Sequence, residues 1–166
     1  MNVPEPTTVA PEHEFERAVI AVAEEILCAN GHPFVSVPKF GLDVAFFIGG
    51  STGTTAKILE FKCFAGGRPG GVGFGTPQGR GPQVELLRHT AADLQLVAPV
   101  IRWVLVDALL PVGAKRYALF DSVTAKAGAM GEVKSGKQNN FRMSAFRPNM
   151  TEWSVFIGAL KQFLTP

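Results

Sequence analysis

The hydrophobic positions of the chain change from a helical period to a strand pattern within the first 64 residues. Glu12–Ala29 has apolar residues at helical spacing and is followed by an Asn-Gly pair, which predicts a first helix. Phe34–Val37 and the two arms of Gly41–Phe64 are rich in β-branched and aromatic residues, which predicts strands. Glycines between the two arms predict that these form a hairpin. The expected order is one helix and then three strands.

The second half of the chain predicts four further elements. Pro82 suits the first position of a helix that is expected to run to Val97. Further apolar segments predict two strands and a last helix, over Val100–Leu109, Arg116–Ser122 and Glu152–Leu164. The glycine-rich stretch Ala65–Pro82 and the polar stretch Thr124–Arg147 are expected to be loops. The fold class is therefore α/β, with a mixed central sheet flanked by helices.

Composition is consistent with one compact domain. The chain has 166 residues, of which 46% are hydrophobic, so a sizeable core is expected over residues 12–166. Residues 1–11 are polar and proline-rich, which predicts a flexible leader rather than a signal peptide. The cysteines, Cys28 and Cys63, lack the spacing of a disulfide framework and are expected to be buried thiols. These features together predict a cytoplasmic protein without a membrane span.

Charge is divided unevenly along the chain, although the net charge is only +2. Residues 1–65 contain eight acids and four bases, and residues 100–166 contain nine bases and four acids. An acidic site beside a basic half suits a metal-dependent enzyme that acts on a polyanion. Chance division of surface charge is the alternative.

The candidate chemistry lies on the predicted hairpin. Glu60 and Lys62 share one face of the second arm because strand side chains alternate, and Asp43 lies on the first arm. If Asp43 lies across the hairpin, two carboxylates and an amine come close together. Carboxylates that repel one another favour a counter-ion, and a hard divalent cation is the natural one.

This pattern resembles the PD-(D/E)XK nuclease superfamily, with Asp43 as the first acid and Glu60-Phe61-Lys62 as the Glu-x-Lys sequence. Leu42 stands where the family name has proline. The predicted order of elements also resembles the family's restriction endonuclease-like αβββαβ core. The resemblance implies a Mg²⁺-dependent endodeoxyribonuclease, in which Mn²⁺ would substitute for Mg²⁺.

The resemblance also implies roles for individual residues. Asp43, Glu60 and the backbone carbonyl of Phe61 would bind the metal, and Lys62 would orient or activate the attacking water. A first-helix glutamate often faces the metal in this family. Glu16 matches that position, with Glu12 one turn earlier as the open alternative; Glu16 could also be an ordinary residue at the helix edge.

DNA is the implied partner. Basic residues of the two predicted loops, together with a polar residue that many relatives place early in the second helix, are expected to contact it: Arg68, Arg80, Gln83, Lys126, Lys134, Lys137 and Arg142. Phe141 and Phe146 would add base stacking. A single-domain homodimer of this type could be a Holliday-junction resolvase or a small restriction or phage endonuclease.

Two other classes of function remain open. One is a non-catalytic nucleic-acid-binding module on the same fold, although all the residues needed for chemistry are present. The other is nucleotide binding by Gly131–Gln138, which nearly matches a phosphate-binding P-loop. That segment has glutamine where a magnesium-binding Ser or Thr belongs and lacks a strand directly before it, so we expect the match to be accidental.

Overall fold

The computed structural model describes residues 3–66 and 71–166. Across these residues, seven strands occur in chain order as β1 (Phe34–Pro38), β2 (Val44–Gly50), β3 (Gly53–Phe64), β4 (Gly71–Phe74), β5 (Ile101–Asp107), β6 (Tyr117–Phe120) and β7 (Asn139–Arg142). The same described ranges contain six helices, namely α1 (Glu12–Ala29), α2 (Pro82–Arg88), α3 (Ala91–Val97), α4 (Ser122–Ala127), α5 (Met143–Phe146) and α6 (Trp153–Leu164). A short 3₁₀ turn spans Arg147–Asn149. The predicted α/β class is confirmed.

A five-stranded mixed sheet forms the centre, with strand order β1-β2-β3-β5-β6. Strands β1, β2 and β3 pair antiparallel, β3 and β5 pair parallel, and β5 and β6 pair antiparallel. Parallel neighbours need a crossover connection, and α2 and α3 lie in the one between β3 and β5. The predicted mixed sheet flanked by helices is therefore present.

Hydrophobic residues pack on both faces of this sheet. On one face, Leu59 and Phe61 of β3 join the buried residues of α1 and α6. On the other face, Phe64 joins buried residues of α2, α4 and the small sheet. Alternation along β3 thus buries odd-numbered side chains under α1 and α6, as predicted, and turns Glu60 and Lys62 to the opposite face.

The glycine-rich stretch contains regular structure that the sequence did not predict. Gly71–Phe74 forms β4, which pairs antiparallel with β7 in a second, two-stranded sheet. The polar stretch Thr124–Arg147 likewise contains β7, α5 and most of α4. The small sheet is held to the core by aromatic contacts, since the rings of Phe74 and Phe141 lie edge-on to Trp103 of β5, with centroids 6.4 and 5.4 Å away. The prediction of two plain loops was wrong.

The single helix predicted over Pro82–Val97 is two helices. The first helix, α2, ends at Arg88. The second, α3, starts after Thr90, whose side chain forms a capping box with that of Asp93. The strand predicted over Arg116–Ser122 ends at Phe120, because the Asp121 side chain accepts a hydrogen bond from Thr124 N and caps α4. Within the described part of the chain, no helix combines the length and apolar character that crossing a bilayer requires.

The leader is packed against the domain where the structure describes it. Val9 is buried in the core, and the indole nitrogen of Trp153 donates a hydrogen bond to the Val3 carbonyl. The Glu5 carboxylate pairs with the buried Arg116 at 2.9 Å and accepts a hydrogen bond from the Tyr117 hydroxyl at 2.8 Å. Residues 3–11 thus lie against the domain, with Glu5 paired to a buried guanidinium, and the flexibility of this segment stays a prediction.

The two cysteines have different environments. Cys28 lies exposed on α1, which corrects the prediction that it is buried, and Cys63 is partly buried. Both thiols are free, as predicted. Burial, with the nearby charges of Glu12 and Asp107, raises the pKa of Cys63 to about 11, so this thiol stays protonated at neutral pH.

Candidate functional site

The candidate site lies where β2 separates from β3. The last residue pair of these strands is Val44 with Leu59. Beyond it, the Phe61 N–H donates to Asp43 Oδ2 at 2.7 Å, and the Cys63 N–H donates to Glu12 Oε2 at 2.9 Å. Two carboxylates from different elements therefore replace the missing strand partner and satisfy the open edge of β3.

Backbone alternation shows which groups of β3 face this open edge. The backbone N–H and C=O groups of even-numbered residues point to β5, since Ile58 N donates to the Val100 carbonyl and the Phe64 carbonyl accepts from Ala108 N. The backbone groups of odd-numbered residues point the opposite way, to the edge of β3 that β2 no longer covers beyond Leu59. The Phe61 carbonyl therefore points to the same open edge as the Asp43 and Glu12 carboxylates.

The Lys62 ammonium is surrounded by oxygen atoms. Its Nζ lies 2.7 Å from Glu60 Oε1, 2.5 Å from the Phe61 carbonyl oxygen and 3.6 Å from Glu12 Oε1. Only 6% of Lys62 is exposed. Burial alone lowers the pKa of Lys62, but the charges of Glu60 and Glu12 outweigh that effect and raise it. Lys62 therefore keeps its proton at neutral pH.

Glu60 is fully buried, and only one of its two carboxylate oxygens accepts hydrogen bonds from the described residues. Its Oε1 accepts hydrogen bonds from Lys62 and from the Gln83 side-chain amide at 2.8 Å, so the first turn of α2 reaches the site. Its Oε2 has no hydrogen-bond partner among the described residues. Burial raises the pKa of Glu60 to about 7 against the opposing charge of Lys62, with a smaller upward contribution from Asp43. A buried carboxylate oxygen without a partner is costly, and a bound cation would satisfy it.

The structure separates the two first-helix candidates. Glu12 contacts both Lys62 and the Cys63 backbone. Glu16 lies one turn further along α1 and interacts with the site acids through charge. Burial is the largest cause that raises the pKa of Glu16, and the charges of Asp43 and Glu12 raise it further. Burial also raises the pKa of Glu12, against the opposing charge of Lys62. Glu12 is thus the α1 acid in direct contact with Lys62, whereas Glu16 acts on the site through its charge.

The donor atoms of this site suit a hard divalent cation. They are carboxylate oxygens and one backbone carbonyl, which is the ligand type that Mg²⁺ and Mn²⁺ take. Within residues 3–66 and 71–166, no group of three or more His, Cys, Asp and Glu side chains is arranged to hold a metal ion as it stands. The Lys62 ammonium lies among the oxygens instead.

Most of the predicted DNA-contacting residues lie on one unit, which we name the basic wing. It consists of β4, residues 75–81 and residues 129–142. The two loops are packed together, since Gly136 N donates to the Gln78 carbonyl at 3.1 Å. Four predicted residues of the wing are exposed, namely Arg80, Lys134, Lys137 and Arg142.

The remaining predicted contacts are placed differently. Lys126 donates a hydrogen bond to the His89 carbonyl and is only partly exposed. Arg68 lies outside the described residues. Phe141 and Phe146 are buried in the core, so the prediction that they stack on bases is wrong. The aromatic residues were misjudged because their strand and helix were expected to be a loop.

Two further acids near the sheet have structural partners. Asp107 is buried at the end of β5, where it pairs with Arg147 at 3.3 Å and accepts a hydrogen bond from Leu109 N. Asp121 caps α4.

The segment Gly131–Gln138 leads into strand β7 rather than a helix, so it lacks the helix N-terminus that a P-loop uses to bind phosphate.

Comparisons with models of known protein families, with curated protein sequences and with solved structures find no match to this chain.

Proposed function

We propose that the chain is a divalent-cation-dependent endonuclease that hydrolyses phosphodiester bonds in DNA, of the PD-(D/E)XK type. The observation that supports the proposal best is the arrangement around β3. Glu60 and Lys62 form a buried pair on one strand, and Asp43 and Glu12 lie on the open edge beside it. A plain structural ion pair would not leave one oxygen of Glu60 buried without a partner.

The proposal assigns the cation to oxygens of Glu60, Asp43 and the Phe61 carbonyl. Glu12, the open alternative from the sequence, is assigned the role of the first-helix glutamate near the cation. Glu16, one turn further along α1, adds negative charge. When bound, Mg²⁺ supplies positive charge that polarises the scissile phosphate and favours ionisation of a water molecule. Mn²⁺ would serve the same purpose.

Lys62 acts through its position and charge. Its raised pKa keeps the amine protonated at neutral pH, so it is a poor general base. A protonated Lys62 would donate a hydrogen bond to the attacking water and offset the negative charge that grows on the phosphate. Gln83 holds Glu60 Oε1 in place through its amide and thereby fixes which oxygen faces the cation.

The basic wing would contact the DNA backbone. Arg80, Lys134, Lys137 and Arg142 are exposed, and α2 connects the wing to the site because Gln83 lies in its first turn. Contacts of this kind are governed by charge and weaken as salt rises. They position the substrate without reading its sequence. Arg68 and Lys126 stay as predicted contributors.

Nicking of DNA by the purified protein tests the proposal. Supercoiled plasmid, linear duplex and a four-way junction are incubated with Mg²⁺ or Mn²⁺. Lys62→Ala and Asp43→Ala should each abolish cleavage, and Glu25→Gln, an exposed acid of α1, should leave it unchanged. Equal cleavage by all of the variants would remove this mechanism. Paired cuts in the junction indicate a resolvase, and sequence-dependent cuts in the duplex indicate a restriction-type enzyme.

A non-catalytic DNA-binding module is the second candidate, and one observation favours it. Lys62 already neutralises Glu60, and the acids as they stand do not form a metal-binding group in the described residues. A module of this kind would bind DNA through the basic wing with the same affinity in EDTA and in Mn²⁺. A nuclease would bind Mn²⁺ with measurable heat in calorimetry.

A further inference from the structure

We propose that the Lys62 ammonium occupies the cation position of this site, so that Lys62 and a divalent metal ion compete for the same oxygens. The inference rests on the proposed metal site. It goes beyond that site because it states that Lys62 must leave Glu60 Oε1 and the Phe61 carbonyl for the ion to take these oxygens. Lys62 would then act first as a resident counter-ion and only afterwards as a substrate-contacting group.

The contacts of Lys62 carry this inference. Its Nζ lies 2.7 Å from Glu60 Oε1 and 2.5 Å from the Phe61 carbonyl, with Glu12 Oε1 at 3.6 Å. These are oxygens from two carboxylates and one carbonyl, the same donor types that a hard divalent ion takes. A metal ion bound to them would lie within a few ångströms of the ammonium, where two positive charges repel strongly.

The unpartnered oxygen of Glu60 shows where the exchange can start. Glu60 Oε1 is already used by Lys62 and Gln83, whereas Oε2 is buried and has no partner in the described chain. Oε2 would hold the ion without any loss of existing contacts, and Oε1 and the Phe61 carbonyl would become available to it when the Lys62 ammonium leaves them. Gln83 keeps its hydrogen bond throughout, so the carboxylate does not rotate.

A displaced Lys62 needs a new counter-ion, and a phosphodiester can supply one. The ammonium leaves three oxygens and regains a charge partner when a phosphate enters the site. Binding of the metal ion and binding of the phosphodiester should therefore favour each other. This coupling makes substrate and metal assemble together, although each binds weakly alone.

Calorimetric titration with Mn²⁺ tests the competition directly. The wild type is compared with Lys62→Met, which keeps most of the side-chain volume and removes the charge. Lys57→Met is the matched control, because Lys57 is another lysine of β3, partly buried, whose ammonium hydrogen-bonds the Pro99 carbonyl instead of the acids. We expect Lys62→Met to bind Mn²⁺ about tenfold more tightly than the wild type, since an opposing charge has been removed. Lys57→Met should bind like the wild type.

The outcomes separate this inference from the proposed function. Saturable Mn²⁺ binding by the wild type, with equal or weaker binding by Lys62→Met, would overturn the competition while leaving the metal site in place. Absence of saturable binding by all three proteins would overturn the metal site itself. Tighter binding by Lys62→Met alone supports the competition.

A second measurement on the wild type covers the case in which Lys62→Met does not fold. Reductive methylation of lysines is followed by mass spectrometry with and without Mg²⁺. Lys62 should be modified slowly without the ion, because it is 6% exposed and held by three oxygens, and several-fold faster with it. Lys57 serves as the internal reference. An unchanged rate at Lys62 would contradict the displacement.

Discussion

The Glu12 carboxylate accepts a hydrogen bond from the Cys63 N–H at 2.9 Å and thereby fastens the first turn of α1 to the end of β3. The second oxygen of the same carboxylate lies 3.6 Å from Lys62. One side chain thus closes the sheet edge and contributes charge to the candidate site. Its structural role and its proposed functional role can be separated, because glutamine retains the hydrogen bond and loses the charge.

We therefore predict different effects for the two glutamates of the first helix. Glu12→Gln should keep the fold and weaken Mn²⁺ binding by about tenfold or more, because it removes a negative charge in contact with the site. Glu16→Gln should have a smaller effect, since Glu16 acts from a turn away. Calorimetry with Mn²⁺ measures both, with Glu25→Gln as the control on the exposed face. A larger loss in Glu16→Gln would reverse the assignment.

The burial of Glu60 predicts how stability depends on pH. Burial raises the pKa of its carboxyl from 4.5 to about 7, so the folded state binds more protons than the unfolded state between these values. The free energy of unfolding should therefore fall as the pH rises from about 4.5 to about 7 and then level off. The same direction holds for Glu12 and Glu16.

Thermal unfolding in EDTA at a series of pH values checks this dependence. Glu60→Gln should flatten the profile, because it replaces the titrating group with a neutral side chain of the same shape. Glu25→Gln should retain the wild-type slope. A wild-type Tm that rises over this pH range would show that Glu60 is not buried as described.

Several features of the fold could be predicted from the sequence because they depend on neighbours in the chain. The bounds of α1 follow from its apolar period, and the shared face of Glu60 and Lys62 follows from strand alternation. Strand β4 could not be predicted, because its partner β7 lies almost seventy residues further along and glycine has low strand propensity. The break between α2 and α3 is marked by the Thr90–Asp93 capping box, but the apolar pattern continues across it and predicts one helix.

The choice between Glu12 and Glu16 shows a limit of a different kind. Both lie on the same side of α1, one turn apart, so helical periodicity treats them alike. What separates them is that Glu12 contacts Lys62 and the Cys63 N–H, and those contacts depend on how α1 packs against β3. Glu5 was missed for the same reason, since its buried partner Arg116 lies more than one hundred residues away.

The buried pair of Glu5 and Arg116 makes the leader part of the fold. Glu5→Ala should lower the free energy of unfolding by about 3 kcal/mol, because it leaves the buried guanidinium without its counter-ion. Urea unfolding measures this change. Glu14→Ala removes an exposed pair with Arg17 and should cost about 0–1 kcal/mol. Equal effects of the two variants would mean that the leader is not anchored as described.

The packing of the basic wing predicts the effect of a single methyl group. Gly79 has φ +66°, and an added Cβ would lie 2.1 Å from the Lys137 carbonyl oxygen and 2.9 Å from that of Lys134. Gly79→Ala should therefore force the two loops apart and weaken DNA binding. Gly136→Ala has φ +84° but meets nothing within 4 Å, so it carries only the backbone strain, about 1 kcal/mol. Fluorescence anisotropy with a labelled duplex in EDTA compares them. Equal affinity of the two variants would contradict the contact.

The charges of the wing predict the salt dependence of DNA binding. Lys137→Ala and Arg142→Ala should each reduce the slope of log affinity against log salt by about 1, whatever the DNA sequence. Lys161→Ala, on α6, should leave the slope unchanged, because α6 packs on the other face of the sheet. A reduced slope in Lys161→Ala and an unchanged slope in the wing variants would place the DNA on the opposite face.

Diffraction from crystals soaked in Mn²⁺, with the anomalous signal used to locate the ion, shows most directly whether a metal ion replaces the Lys62 ammonium. We predict an anomalous peak beside Glu60 Oε2 and the Phe61 carbonyl, with the Lys62 ammonium moved away. Crystals of Glu60→Gln should lack that peak. A saturating soak that gives no peak beside β3 and leaves Lys62 bound to Glu60 Oε1 would rule out both the metal site and the displacement of Lys62.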